Sequence, residues 1–161
     1  MKRFIICIIG IFLIFIENSM TNYINIFGAS FNLLLPCLVM ISLYLEDSEA
    51  GLIGAFLGLI KDITVGGIFG LNALILAVIC YLISHYRRNL YRDDIGMVIG
   101  LVAGVSMIDS FVSAIAAYFV YYMDGILIVM SRRLIVIPIL NSIIGLVIYK
   151  LFNSSIRKLE E

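Results

Sequence analysis

The chain has 161 residues, of which 63% are hydrophobic and 14% charged, and its formal net charge at pH 7 is zero. Its mean hydropathy is +1.13. A soluble domain of this size cannot bury so much apolar surface, so the composition excludes a water-soluble fold and predicts one domain in lipid. The balanced charge points to no particular partner.

Six apolar segments follow one another along the chain, with short polar links between them. The first begins after Lys2 and Arg3 as a signal peptide does, but no small-residue cleavage site follows, and we interpret it as a retained span. Glu17, near its end, is expected to reach the membrane interface. We predict a single all-α membrane domain, residues 1–161, with transmembrane helices over residues 4–23, 31–45, 50–69, 71–85, 95–123 and 133–152.

The distribution of Lys and Arg predicts the orientation of these spans. With six spans, eight basic residues fall on the side of the amino terminus: Lys2, Arg3, Arg87, Arg88, Arg92, Lys150, Arg157 and Lys158. Three fall on the other side: Lys61, Arg132 and Arg133. Because basic residues concentrate on the cytoplasmic side, both termini are predicted to be cytoplasmic.

The third segment carries a stripe of small residues with a carboxylate in its middle. The positions that recur every fourth residue are Ala50, Gly54, Gly58, Asp62, Gly66 and Gly70. Small residues at this spacing let two helix backbones approach closely in a bilayer. Two interpretations of Asp62 stay open: it lines an internal polar groove that fixes helix packing or touches a ligand or partner, or it pairs with Lys61 or caps the following turn.

The fifth segment carries a second stripe, formed by Gly96, Gly100 and Gly104, and it is followed by Asp109 about midway along the span. The stripe by itself is typical of ordinary bundle packing. An acid in the middle of an apolar span is costly, and such residues usually face the bundle interior. We therefore predict an internal role for Asp109.

Catalytic patterns are missing from the sequence. Its one histidine, His85, sits beside Arg87 and Arg88 at a predicted interface, where a polar anchor is the simplest interpretation. The GGIFG run lacks the Lys-Ser/Thr of a phosphate-binding loop. We predict a protein that is not an enzyme and has no catalytic, cofactor or metal site.

The run NLLLPCLVMISLYL, an acidic turn and GLIGAFLGLIKDITVGGIFGLNALILAVICYL together resemble the rod-shape-determining MreD family of bacteria. The resemblance rests on a proline that opens the second span, a G-L-x-x-D element in the third and a glycine-alanine entry to the fourth. The residues at those places are Pro36, Gly58, Leu59, Asp62, Gly67, Gly70 and Ala73. One departure is Lys61, since an aliphatic residue is more usual beside the aspartate, and a lysine there could compete for the bonds that the aspartate accepts.

The resemblance implies a subunit of the lateral peptidoglycan-synthesis machinery in the bacterial cytoplasmic membrane. Such a subunit is expected to bind a single-span, coiled-coil MreC-like partner and to act alongside an MreB-like filament and the SEDS polymerase with its transpeptidase. Membrane lipid would surround it, and no nucleic acid is expected to bind. The fold would resemble the six-helix substrate-binding subunits of energy-coupling-factor transporters. Under this interpretation the partner-binding residues are Gly54, Gly58, Asp62, Gly66, Gly70, Gly100, Gly104 and Asp109.

Two other functions remain as alternatives. One is a vitamin-binding subunit of an energy-coupling-factor transporter, against which the first span lacks the usual alanine pair and the chain offers few convergent polar groups for a ligand pocket. The other is a small channel or proton-coupled carrier, which depends on Asp62 and Asp109 alone.

Overall fold

The computed structural model describes residues 2–21, 32–65, 68–87, 94–121 and 134–150, and the regular structure in these ranges is helical, as predicted. Six helices follow in chain order: α1 (Lys2–Thr21), α2 (Leu34–Ser42), α3 (Asp47–Val65), α4 (Leu71–Tyr86), α5 (Ile95–Tyr121) and α6 (Leu134–Lys150). Among them one segment, Ile95–Val120 of α5, is long and apolar enough to cross a membrane; α4 and α6 are apolar but shorter. Membrane spans for the other helices stay a prediction.

The first four helices alternate in direction. At what we call the near end, Arg3 at the start of α1 pairs with Glu49 in the first turn of α3, and Asp47 contacts His85 at the end of α4. At the opposite, far end, Glu17 near the end of α1 meets the start of α2 and the last turns of α3. This antiparallel order is what the predicted orientation requires.

Helices α3 and α4 pack most closely, and two glycines of the small-residue stripe explain why. A Cβ added at Gly58 would lie 2.4 Å from the Cα of Ala73, and one added at Gly54 would lie 2.6 Å from the carbonyl oxygen of Leu76. Any side chain there would collide with the backbone of α4, so only glycine allows this approach. The stripe therefore packs α3 against a neighbour in its own chain.

The main core lies between helices α1 to α5, and its most buried side chains include Leu35, Leu57 and Val102. A second, smaller cluster of Met40, Val98 and Tyr149 joins α2, α5 and α6. Pro36 lies in the first turn of α2, where its missing N–H breaks no helical hydrogen bond.

Helix α5 is longer than the bundle that it packs on. Its 27 residues span about 40 Å at 1.5 Å per residue. Its buried side chains all fall between Val98 and Ser110, and from Phe111 onward every side chain that the structure describes is partly or fully exposed. Val112 is the last side chain of α5 that packs against the main core. Beyond it, no side chain of α5 that the structure describes is fully buried.

Candidate functional site

A buried ion pair joins α1 to α3 at the far end. The Nζ atom of Lys61 lies 2.8 Å from Oε1 of Glu17, and the two side chains are 9% and 8% exposed. The other carboxylate oxygen accepts the backbone N–H groups of Leu33, at 2.9 Å, and Leu34, at 3.2 Å. Because the first N–H groups of a helix lack intrahelical partners and carry the positive end of its dipole, α2 also stabilises this carboxylate. Glu17 is thus buried within the protein and holds three helices together, and its position at the membrane interface stays a prediction.

Asp62 caps the start of α4. Its Oδ2 accepts the backbone N–H groups of Gly70, at 3.0 Å, and Ala73, at 3.1 Å. Its Oδ1 accepts both the backbone N–H of Asn72, at 3.2 Å, and the side-chain amide of that residue, at 2.8 Å. Gly70 has a φ of +89°, a left-handed conformation that glycine adopts without strain and that turns the chain back toward α3. The carboxylate is thus held by four donors of its own chain.

Replacing Asp62 with asparagine is expected to loosen the start of α4. The amide keeps one acceptor oxygen but turns an NH₂ group toward backbone N–H donors, at a cost of about 2 kcal/mol. Hydrogen exchange of the purified protein in detergent should accelerate at Asn72 and Ala73 in this variant. Asp94→Asn is the matched control, since Asp94 accepts the N–H of Gly96 at 2.9 Å from an exposed position. Unchanged exchange in the Asp62 variant would show that the cap contributes little.

Asp109 faces the ion pair from α5. Lys61 and Glu17 are its electrostatic neighbours, and its side chain is half-buried. Helical periodicity places it on the same face as the buried residues Val102 and Val105, so its predicted position inside the bundle agrees with the structure. No hydrogen bond or ion pair reaches it from the part of the chain that the structure describes.

A second buried polar link ties α6 to the rest of the far end. Asn141 is fully buried; its Oδ1 accepts the backbone N–H of Asn32 at 3.0 Å, and its Nδ2 donates to the hydroxyl of Ser106 at 2.9 Å. Asn32 in turn accepts the N–H of Leu35 at 3.0 Å and so caps α2. Sequence reasoning did not select Asn141, although a lone amide in an apolar segment was a signal available for it.

Besides Asp109, the predicted partner-binding residues fall into four groups. Gly54 and Gly58 are covered by α4, and both Asp62 and Gly70 belong to the cap at the start of α4. Gly66 lies outside the described residues. The remaining glycines, Gly100 and Gly104, are exposed, and a Cβ added at either would meet nothing within 4 Å. Their role in partner binding stays a prediction, and they are the members of the set with an open surface.

A family model described as rod shape-determining protein MreD matches residues 1–155. The chain belongs to the MreD family. No curated protein and no solved structure matches it, so the predicted likeness to energy-coupling-factor subunits stays a prediction. The MreD match covers nearly the whole chain and confirms the resemblance that spans two to four carry.

The structure shows how Lys61 and Asp62 are accommodated at adjacent positions. The ammonium group of Lys61 points to Glu17 on α1, while the adjacent carboxylate points to α4. Consecutive residues on a helix point about 100° apart, so the two charges serve different neighbours. Lys61 therefore does not compete for the bonds that Asp62 accepts.

The near end of this MreD-family chain holds a polar cavity of about 240 Å³, lined by Asp47, Ser84, His85 and Arg87. The Nδ1 atom of His85 lies 2.9 Å from the carboxylate of Asp47, while the hydroxyl of Ser84 donates to the carbonyl of Leu45 at 2.6 Å. Because this hydroxyl bonds a carbonyl rather than the imidazole, the group lacks the arrangement of a serine activated by histidine. The described residues also contain no cluster of His, Cys, Asp and Glu that could hold a metal.

The Asp47–His85 contact predicts a loss of stability in acid. The hydrogen bond from His85 lowers the pKa of the Asp47 carboxyl, with smaller contributions from Ser84 and Arg87. A lowered pKa in the folded state means that the contact is at full strength above about pH 4, the ordinary range of aspartate, and is lost as the pH falls further. The melting temperature of the wild type should therefore fall more than that of Asp47→Asn between about pH 6 and about pH 3. Glu46→Gln, at an exposed neighbouring position, is the control; parallel curves for wild type and Asp47→Asn would contradict the prediction.

Proposed function

We propose that this MreD-family chain is a non-enzymatic membrane subunit of the machinery for lateral peptidoglycan synthesis and that it binds an MreC-like single-span partner. Family membership supports a role in rod-shape determination. In this role the chain acts in a complex with an MreB-like filament and the SEDS polymerase with its transpeptidase. The polar side chains at the far end bind helix termini and each other.

The observation that carries the proposal is the exposed glycine face of α5, which we define by Gly100 and Gly104. These glycines lie on the one described helix long and apolar enough to span a membrane, and nothing covers them within the described structure. Large apolar side chains continue the same exposed surface at Met107, Ile108 and Phe111. Small residues flanked by apolar ones let a second membrane helix pack closely without a polar contact. The face fits the single membrane helix of an MreC-like protein.

We further propose a six-span arrangement in the bacterial cytoplasmic membrane with both termini in the cytoplasm. The alternation of the first four helices and the excess of basic residues near the amino terminus and in the Arg87–Arg92 segment support it. Membrane-impermeant maleimide applied to intact spheroplasts should label Phe69→Cys, at the far end, and spare Glu46→Cys, at the near end, in a background without the native cysteines. The reverse labelling would overturn the orientation.

The partner proposal is tested by placing a large side chain in the glycine face. Gly104→Leu should reduce recovery of the single-span coiled-coil partner at least tenfold in detergent pull-downs, a loss of about 1.4 kcal/mol or more. It should also impair rod shape in cells that depend on the variant.

Leu74→Phe is the control, because Leu74 is 64% exposed on α4, away from this face. Equal partner recovery from Gly104→Leu and wild type would remove the glycine face from the proposal. Recovery of paired ATPases with a larger membrane subunit, in place of the coiled-coil partner, would replace it with the vitamin-transport function.

A further inference from the structure

The polar cavity at the near end carries both signs of charge and is open to its surroundings. Its lining includes the carboxylate of Asp47 and the guanidinium of Arg87, with Ser84 and His85 beside them. The side chains of His85 and Asp47 are 53% and 40% exposed, so a ligand can reach them from outside. The volume of about 240 Å³ equals that of about eight water molecules at ~30 Å³ each, which is enough for a small charged group of about eight non-hydrogen atoms.

The chain holds both charged groups in place and leaves them capacity to bind a ligand. Asp47 accepts hydrogen bonds from His85, at 2.9 Å, and Ser84, at 3.3 Å, whereas a carboxylate offers about four acceptor sites. Arg87 donates through one guanidinium nitrogen to the carbonyl of Leu45, and its planar fork carries several further N–H donors. The cavity therefore presents a fixed acceptor for a cation beside a fixed donor for an anion.

An exposed apolar ridge leads along α4 away from this cavity. Leu74, Val78 and Tyr81, which we call the α4 ridge, are 64%, 48% and 46% exposed. Together with His85 they lie within about 60° of one another around the helix axis, and the ring of Tyr81 stacks on that of His85 with the centroids 5.9 Å apart. The helix rises about 16 Å from His85 to Leu74, close to the ~15 Å depth of one leaflet of the hydrocarbon core. A polar cavity above an apolar ridge of this length has the shape of a phospholipid.

Aromatic side chains mark the depth of the cavity in the membrane. His85 is flanked by Tyr81, which stacks on it, and by Tyr86, whose ring meets it edge-on at 5.2 Å. Exposed tyrosines of membrane proteins concentrate at the level of the lipid headgroups. The six-span arrangement proposed above places the near end in the cytoplasmic leaflet. The present inference rests on that membrane placement and is independent of the partner that binds the glycine face.

We propose that the near-end cavity and the α4 ridge bind one phospholipid whose headgroup joins a phosphate to a primary ammonium. The phosphate pairs with Arg87, the ammonium donates to Asp47, and an acyl chain lies along the ridge. Charge complementarity selects this headgroup. A phosphate without an amine would face the carboxylate of Asp47 unpaired, and a quaternary ammonium would have no N–H to donate to it.

The proposal is tested by native mass spectrometry of the purified full-length chain in detergent. The chain is titrated with phosphatidylethanolamine, phosphatidylglycerol and phosphatidylcholine that share the same acyl chains. Phosphatidylglycerol has the phosphate without the amine, and phosphatidylcholine has a quaternary ammonium. We expect phosphatidylethanolamine to bind at least about fivefold more tightly than either, as one exposed charge-assisted contact would give. This comparison uses the wild type and needs no variant that might fold poorly.

Two variants assign the headgroup to its residues. Asp47→Asn should reduce the preference for phosphatidylethanolamine over phosphatidylglycerol to about twofold or less, because the ammonium loses its counter-charge. Arg87→Gln should weaken the binding of both lipids about fivefold, because both carry the phosphate. The matched controls are Glu46→Gln, at an exposed neighbouring position, and Arg3→Gln, whose native side chain pairs with Glu49. Both controls should keep the wild-type preference.

Equal affinity of the wild type for the three lipids would overturn the inference, and so would an unchanged preference in Asp47→Asn. Displacement of the lipid by an equal concentration of soluble glycerophosphoethanolamine would also overturn it, since the α4 ridge would then contribute nothing and a free phosphate ester would be the ligand. If the lipids bind equally but the coiled-coil partner is recovered through the glycine face, this inference fails and the proposed function stands. If the lipid preference is found and no partner is recovered, the proposed function fails alone.

Discussion

Gly58→Ala is expected to destabilise the protein by about 3 kcal/mol, although it adds a single methyl group. The new Cβ would lie 2.4 Å from the Cα and 2.7 Å from the nitrogen of Ala73. These are backbone atoms, which cannot rotate away as a side chain does, so α3 and α4 must separate. The separation also pulls the first residues of α4 away from Asp62, so the helix packing and the Asp62 cap are lost together. Thermal unfolding in detergent, followed by circular dichroism, measures the effect.

Gly104→Ala is the matched control, because the added methyl group meets nothing within 4 Å. On an exposed helix face alanine is favoured over glycine by about 1 kcal/mol, so this variant should melt at or above the wild-type temperature. If the same added methyl group lowers the melting temperature at Gly58 but not at Gly104, the first is a packing position and the second a surface position. Equal melting temperatures for the two variants would contradict the α3–α4 contact. Loss of partner recovery in a Gly58 variant therefore does not identify a docking groove, since the helix pair itself is disturbed.

Lys61→Met is expected to cost about 3–5 kcal/mol, because it leaves the buried carboxylate of Glu17 without its counter-charge. Methionine matches the length of the lysine stem, so packing is kept. The loss in the free energy of unfolding then measures the effect of removing the charge. The double variant Lys61→Met/Glu17→Gln should recover most of this loss. The glutamine oxygen can still accept the N–H groups of Leu33 and Leu34, and residue 17 no longer carries a charge that Lys61 must balance.

The measurement is a double-mutant cycle on the same thermal unfolding signal. Lys150→Met, at an exposed position on α6, is the control for loss of a lysine and should change the melting temperature little. Strict additivity of the two single losses would show that the charges do not interact, and would contradict the role assigned to the pair.

Much of the fold could be predicted from the sequence, since apolar runs and their polar ends mark helices. The span predicted over residues 71–85 matches α4 to within one residue, because Gly70 and the basic segment after Tyr86 flank a largely apolar run. The span predicted over residues 31–45 matches α2 less well, because the helix covers only Leu34–Ser42. It begins where Glu17 and Asn32 accept its first N–H groups, and it ends in a turn before Asp47.

The site was harder to predict, because spacing along one helix does not reveal which neighbour covers it. The small-residue stripe of α3 correctly indicates a close contact, but Gly54 and Gly58 meet α4 of the same chain. Lys61 beside Asp62 suggests a local pair, yet the lysine reaches a glutamate 44 positions earlier. Long-range pairs of this kind depend on how three helices come together, which one sequence does not encode in any local pattern.

The cap at Asp62 has a consequence for how the chain is inserted during synthesis. Its carboxylate is satisfied by donors 8 to 11 positions further on, whereas Asn141 meets Asn32 across 109 positions. In the proposed six-span arrangement, helices α3 and α4 can therefore enter the lipid as a hairpin whose own carboxylate already accepts hydrogen bonds from α4, before α5 and α6 have been made. The hairpin still carries Lys61, and in the same arrangement its partner Glu17 on α1 is inserted first. We expect the amino-terminal four helices to form a preassembled half to which the last two helices are added.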